Sequence, residues 1–190
     1  MSSRDAILGA LRGAGRTPTP LPEVPLFDAD LPPAFEQFKV ALAKMGGQWL
    51  GAPANLDGWI ATRFPDAKVI CSAVAETDGT RRIETVTEPA ALDDVDVGIV
   101  RARFGVAETG SVWLSEDEYK VNALGYLAQH LIVLLDPASI VPNLHHAYHQ
   151  RGFHEARYCV LMTGPSATAD IEGVLIRGAQ GVRSLTVIGM

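Results

Sequence analysis

An α/β fold, with a mostly parallel sheet covered by helices on both faces, follows from two features of the sequence. The first is the run HLIVLLD (130–136), apolar at every position from Leu131 to Leu135. A strand that is apolar on both sides belongs in the middle of a sheet with both faces covered. The second is alternation: short β-branched runs are separated by segments with helical spacing and capping residues, as in chains of parallel strands and crossover helices.

Taken in order, Ser3–Ala14 is expected to form a short amphipathic helix, with Ser2 or Ser3 as N-cap and Ile7, Leu8 and Leu11 on one side. Six of the twelve prolines then fall between Pro18 and Pro33, which rules out a regular ladder or helix there. Residues 1–33 are thus expected to be a helix plus a Pro-rich linker, and 34–190 the α/β domain. Phe35, Phe38, Leu42 and Met45 repeat at helical spacing and are stopped by Gly46-Gly47. GQWLG is expected as a strand, Asn55 as the cap of a helix carrying Leu56, Trp59 and Ile60, and KVICS as a buried strand. A short helix is expected at Glu88–Leu92, strands at Val97–Ala102 and Ser111–Ser115, and a loop at Phe104–Gly110. A helix is expected from Ser139 through Tyr148, a strand over 157–163, a helix over Thr168–Arg177 and a last strand over 184–188.

Composition narrows the function. A hydrophobic content of 47% with 20% charged residues is that of a chain able to build a core. A net charge of -6 and a pI near 5.3 weigh against general attraction to nucleic acid or anionic lipid. The Arg81-Arg82 pair reads as a solvated surface pair. Cys71 and Cys159 sit in apolar runs, as reduced, buried thiols do. Two cysteines are too few for a disulfide framework or an iron–sulfur cluster. The first residues lack the apolar stretch of a signal peptide, and no segment has the length of a membrane span, so a cytoplasmic location is expected.

Open α/β sheets gather ligands where strand ends lead into loops and helix starts. Two segments have the required chemistry. In TGPSATADIE (163–172), Gly164 permits close backbone approach, Pro165 fixes a turn, and Ser166 and Thr168 offer hydroxyls before an expected helix. The free N–H groups of that helix start suit a carboxylate or phosphate, while Asp170 and Glu172 oppose an anion and suit a plain structural cap equally well. In GVAETGS (105–111), Glu108 has the chemistry of a general base, a nucleophile, an acceptor for a ligand hydroxyl, or a solvated loop acid. His130, opening the apolar strand, reads as a site residue or a satisfied core histidine. His145 and His149 have an i,i+4 spacing that zinc sites use, but no cysteine or carboxylate completes a set, so no metal site is expected.

The succession GVAETGSVWLS, QHLIVLLDPASIVPNLHHAY and TGPSATADIEGVLIRGAQG resembles the lactate-utilisation (LUD-domain, LutC-like) family over roughly residues 95–190. The resemblance implies a fold related to the ribose-phosphate isomerase, CoA-transferase and formyltetrahydrofolate cyclo-ligase group. It also implies an accessory or regulatory role in oxidising L-lactate to pyruvate beside separate iron–sulfur proteins, with no cofactor of its own. Glu108, Thr109 and Gly110 match one motif of the family; Gly164, Pro165, Ser166, Thr168, Asp170 and Glu172 match the other. The stretch from Lys120 to Leu127, and Gln180-Gly181-Val182, depart from its usual pattern. Glu108 is the candidate catalytic residue. The other matching positions, with His130, are candidates to bind a small carboxylate, phosphate or nucleotide. The rival reading is a free-standing transferase, ligase or isomerase on a CoA ester, sugar phosphate or nucleotide-activated substrate.

Overall fold

The computed structural model describes residues 2–15, 20–170 and 173–190. Its framework is a six-stranded, wholly parallel sheet. The strands are β1 (Gln48–Gly51), β2 (Ile70–Ser72), β3 (Arg81–Arg82), β4 (Val97–Arg101), β7 (His130–Leu135) and β12 (Ser184–Gly189), in the order β1-β12-β7-β4-β2-β3. Alternation along β7 sorts its side chains. Leu131, Val133 and Leu135 enter one core, while Ile132 and Leu134 enter a second core with Val97, Ile99 and Ile188. The second core is closed by helix α3 (Leu56–Arg63), whose Leu56 and Ile60 are buried and whose cap Asn55 accepts from the Gly58 N–H at 3.0 Å.

The opposite face is covered by α2 (Ala34–Lys44), through Phe38 and Leu42, and by a second sheet. Helix α2 ends as its glycines require. Gly46 adopts φ +88° and donates to Ala43 O, and Gly47 donates to Leu42 O, the double bond of a Schellman stop. The second sheet has the order β8-β5-β6-β9, from β5 (Phe104–Val106), β6 (Ser111–Ser115), β8 (Ile140–Val141) and β9 (Cys159–Met162). Beyond it, α6 (Leu144–Tyr148) and α7 (Arg151–Glu155) enclose a third core around Phe104 and Trp113, whose rings stack at 5.3 Å. The short α4 (Glu116–Tyr119) and α5 (Leu124–Leu127) link the two sheets between β6 and β7.

Three expectations are corrected. Phe104–Gly110 is not a loop: Phe104–Val106 pair antiparallel with β6. The expected helix from Ser139 to Tyr148 is interrupted by β8 and begins only at Leu144, after the Asn143 cap. Among its described residues Thr168–Arg177 is no helix. Its described ends are β10 (Ala167–Thr168) and β11 (Ile176–Arg177), an antiparallel pair, with Gly173 at φ +70° and Gly178 at φ +74°. Such angles break a right-handed helix where the sequence spacing had continued it.

Helix α1 (Ser3–Gly13) forms with a Ser2–Asp5 capping box and buries none of its residues. The Pro-rich segment touches the body near α6. Asn143 donates to the carbonyls of Leu26 (2.7 Å) and Phe27 (3.2 Å), His146 meets Asp28 at 3.3 Å, and the Phe27 ring lies 4.8 Å from His145. The histidines of HHAYH thus serve, in part, to hold this arm.

Both motif glycines meet α2. A Cβ on Gly110 would stand 2.2 Å from Leu42 N, and one on Gly164 would stand 2.5 Å from Met45 O; both residues have positive φ. A backbone neighbour has no rotamer by which to yield. Gly110→Ala and Gly164→Ala should therefore each destabilise the fold by roughly 3 kcal/mol, combining overpacking with left-handed strain. Urea unfolding monitored by circular dichroism measures this, and an unchanged midpoint would contradict the packing account.

Candidate functional site

The two motif segments meet through hydroxyls. Thr109 Oγ1 lies 2.6 Å from Ser111 Oγ, which lies 2.6 Å from Thr163 Oγ1, so a chain of three hydroxyls joins the ends of β6 and β9. Next to it, Gly125, Tyr126, Thr163, Gly164, Pro165, Ser166, Gln180 and Gly181 line a hollow of about 310 Å³. Among the described residues no Lys, Arg, His, Asp or Glu stands in its wall. Nor does a helix begin there: the Ser166 N–H is already bonded to Val182 O at 2.9 Å. Among the described residues the segment therefore offers no helix start whose free N–H groups could cradle an anion. Thr168 and Asp170 bond each other (3.2 Å) on the exposed hairpin, and Glu172 lies outside the described residues.

Glu108 faces elsewhere. Its Oε2 accepts the Leu144 N–H at 3.0 Å, satisfying the start of α6, and it lines a separate hollow with Phe27, Leu31, Gln37, Asn143 and His145. Glu108 and Ser166 thus do not share a cleft wall, although Thr109 and Thr163 are linked.

A larger hollow of about 460 Å³ opens at the carboxyl ends of the parallel strands, lined by Ala73, Arg101, Ala102, Arg103, Asp117, Glu118, Lys120, Asp136 and Ser139. This is where open parallel sheets hold ligands. Its charges are mostly committed. Arg101 pairs with Glu76, and Arg103 binds Glu118 through Nη2 (2.7 Å) and Nε (3.0 Å) while lying over the Trp113 ring at 5.0 Å. Glu118 also closes a capping box on Ser115, accepting its N–H at 2.8 Å. Lys120 differs: among the described residues its ammonium has no carboxylate within ion-pair distance.

The backbone at Lys120 is strained. Its φ of 60° and ψ of -46°, with Val121 N–H donating to Tyr119 O at 2.7 Å, define the rare γ-turn with positive φ. The turn falls where the chain passes from the fully buried Tyr119 to the exposed Lys120. A residue held this way costs of order 1–3 kcal/mol and is concentrated at functional sites.

The sequence carried a trace of this hollow, since Arg101 and Arg103 follow the strand VGIV and Asp136 follows HLIVLL. It could not be assembled without knowing that 104–115 and 159–162 leave the central sheet to build a second one.

The LUD-domain family model matches residues 63–189, more than half of the chain. This chain belongs to the LUD-domain family. Among its relatives are Lactate utilization protein C of Oceanobacillus iheyensis, 29% identical over 102 residues (50% of this chain, 44% of that protein). Lactate utilization protein C of Anoxybacillus flavithermus is 28% identical over 112 residues (58% and 50%). A protein of Escherichia coli named Uncharacterized protein YkgG is 29% identical over 117 residues (58% and 49%). Matches thus span about half the length of these curated relatives. A crystal structure of a DUF162-family protein from Deinococcus radiodurans shares the fold, with a TM-score of 0.62 at 19% identity over 82% of this chain and 95% of that one.

In this LUD domain His130 stands at the opposite, amino end of the sheet. Its Nδ1 lies 2.8 Å from Ser184 Oγ, and its ring lies 4.6 Å from that of Phe64. Burial lowers its pKa first, then the charges of Arg63 and Arg183, with Asp96 opposing. Among the described residues no helix is long and apolar enough to cross a membrane, and no group of three or more His, Cys, Asp and Glu is placed to hold a metal.

Two outcomes follow from this geometry. A His with a depressed folded-state pKa binds fewer protons when folded than when unfolded. The stability it confers is present above about pH 6.5, the ordinary value, and is lost as pH falls through the folded-state value. His130→Gln should flatten that part of the stability–pH curve in urea melts between pH 7.5 and 5.5; an unaltered curve would contradict the assignment. Lys120→Gly should release the γ-turn strain and raise stability by about 1 kcal/mol after glycine's own entropic cost. A loss of stability in the same melts would show that the turn is not strained.

Proposed function

We propose that this chain is a LutC-like component of lactate utilisation, acting with iron–sulfur partner proteins in the oxidation of L-lactate to pyruvate. In this reading, its carboxyl-end hollow binds the small carboxylate. The observation that carries the reading to a place on the molecule is Lys120, an unpaired ammonium held in a strained turn above the ends of the parallel strands. The family relationship, with two relatives named Lactate utilization protein C, supports the link to lactate.

The chemistry suits a 2-hydroxy acid. A carboxylate beside Lys120 forms a charge-assisted hydrogen bond, and the hydroxyl on the neighbouring carbon finds an acceptor in Asp136 or Ser139. The Arg101 and Arg103 guanidinium groups, already neutralised by Glu76 and Glu118, supply a rigid polar wall rather than free charge. Converting lactate to pyruvate removes two electrons and two protons, and the electrons are assigned here to the clusters of the partners. The role of this chain is to bind and present the acid, or to sense it.

Deleting the gene should abolish growth on L-lactate as sole carbon source while leaving growth on pyruvate intact, and tagged protein from lactate-grown cells should recover iron–sulfur proteins. Undiminished growth on lactate after deletion would overturn the reading.

A further inference from the structure

The amino ends of the three central strands build a second hollow, of about 320 Å³, far along the sheet from the carboxyl-end one. It is lined by Arg63, Asp66, Asp96, Gln129, His130 and Arg183, with Phe64 behind the imidazole. Its geometry is fixed by the sheet. His130 pairs in register with Val97 of β4 and with Ser184 of β12, so Asp96, Gln129 and Arg183 stand side by side one residue before it. Backbone bonds lock them: His130 N–H to Asp96 O at 2.9 Å, Gln129 N–H to Val95 O at 3.0 Å, and Arg183 N–H to Gln129 O at 2.7 Å.

The arginines here are uncommitted, unlike Arg101 and Arg103. Among the described residues neither Arg63 nor Arg183 has a carboxylate within ion-pair distance. Arg63 stacks over Phe64 at 5.2 Å, which leaves the edge of its guanidinium for other partners. Two acids stand in the same wall, but they are differently placed. Asp96 Oδ2 is taken by two peptide N–H groups, from Lys68 (2.7 Å) and Val69 (2.9 Å), and Asp66 lies on the exposed rim. His130 is half-buried and engages Ser184 through Nδ1, so its Nε2 remains available. In the tautomer where the Ser184 hydroxyl donates to Nδ1, the ring proton sits on Nε2, which gives the hollow's wall a neutral donor.

We propose that this amino-end hollow is a separate binding site for a small, doubly charged oxyanion, such as a phosphate group, held between Arg63 and Arg183 with His130 Nε2 as the central donor. Guanidinium groups bind tetrahedral and planar oxyanions through paired N–H donors, and the imidazole adds a third donor at no cost in net charge. The site is independent of the carboxylate-binding reading above, since the two hollows share no residue.

The test uses the full chain, with histidine imidazoles labelled for NMR, titrated with inorganic phosphate at pH 7.5 against potassium chloride of matched ionic strength. The His130 ring resonances should shift saturably with phosphate and not with chloride. Arg63→Gln and Arg183→Gln, both exposed positions, should each weaken the apparent affinity about tenfold, equivalent to about 1.4 kcal/mol, with unchanged thermal melts. Lys120→Ala should leave the titration as it is. Succinate in place of phosphate distinguishes a dicarboxylate from a phosphate ligand, and saturation by either supports the doubly charged class. Absence of a saturable shift, equal response to L-lactate and phosphate, or retention of full affinity in both arginine variants would overturn the proposal. A response lost in Lys120→Ala would also overturn it, by moving the ion to the carboxyl-end hollow.

Discussion

Burial of both faces of the β12-β7-β4 ladder is the constraint on which the rest of this LUD domain depends. Leu131, Ile132, Val133, Leu134 and Leu135 are all fully buried, so no side chain in mid-strand can reach a solvent-borne ligand. Each buried apolar side chain contributes about 1.5–3 kcal/mol by leaving water, and a polar replacement there would reverse that sign. Charged groups are thereby displaced to the strand ends. His130 and Arg183 gather at the amino end and Arg101, Lys120 and Asp136 at the carboxyl end. Two chemically distinct hollows at opposite edges are the consequence.

The second sheet changes what the motif segments mean. Gly110 and Gly164 lie where α2 crosses the ends of β6 and β9, and their missing Cβ atoms allow the helix backbone to approach. The hydroxyl chain Thr109–Ser111–Thr163 ties the same two strand ends together beneath it. Glu108, for its part, satisfies an N–H at the start of α6, while Asn143 of that helix cap holds the Pro-rich arm. Much of the sequence pattern that resembled a ligand motif therefore has a packing role in view. The neutral hollow beside Ser166 remains, without the helix start that made it look like an anion cradle.

The central sheet was legible because its strands are apolar on both sides, a pattern few other arrangements produce, and the caps at Ser2 and Asn55 and the Gly46-Gly47 stop were legible because their chemistry is local. The pairing of Ala167–Thr168 with Ile176–Arg177 is hidden in the sequence because Ile171, Val174 and Leu175 have helical spacing, and periodicity carries no information about Gly173 and Gly178 adopting positive φ. The carboxyl-end hollow was missed for a different reason. Its members come from β4, α4, the turn at Lys120 and the residues after β7, and only the pairing of β5 and β6 away from the central sheet brings them together. Strain at Lys120 has no sequence signature at all, since lysine ordinarily avoids that backbone region.

Lys120 is therefore where the functional account is most exposed to test. A single charge-assisted contact supported by one or two neutral hydrogen bonds corresponds to a dissociation constant of about 1 mM for a small carboxylate. Calorimetric titration of L-lactate into the purified chain and into Lys120→Gly measures this directly. The account predicts saturable binding near that value for the native chain and none for the variant, which keeps its fold. Equal binding by both, or binding by neither, would contradict the placement of the carboxylate at the carboxyl end of the sheet.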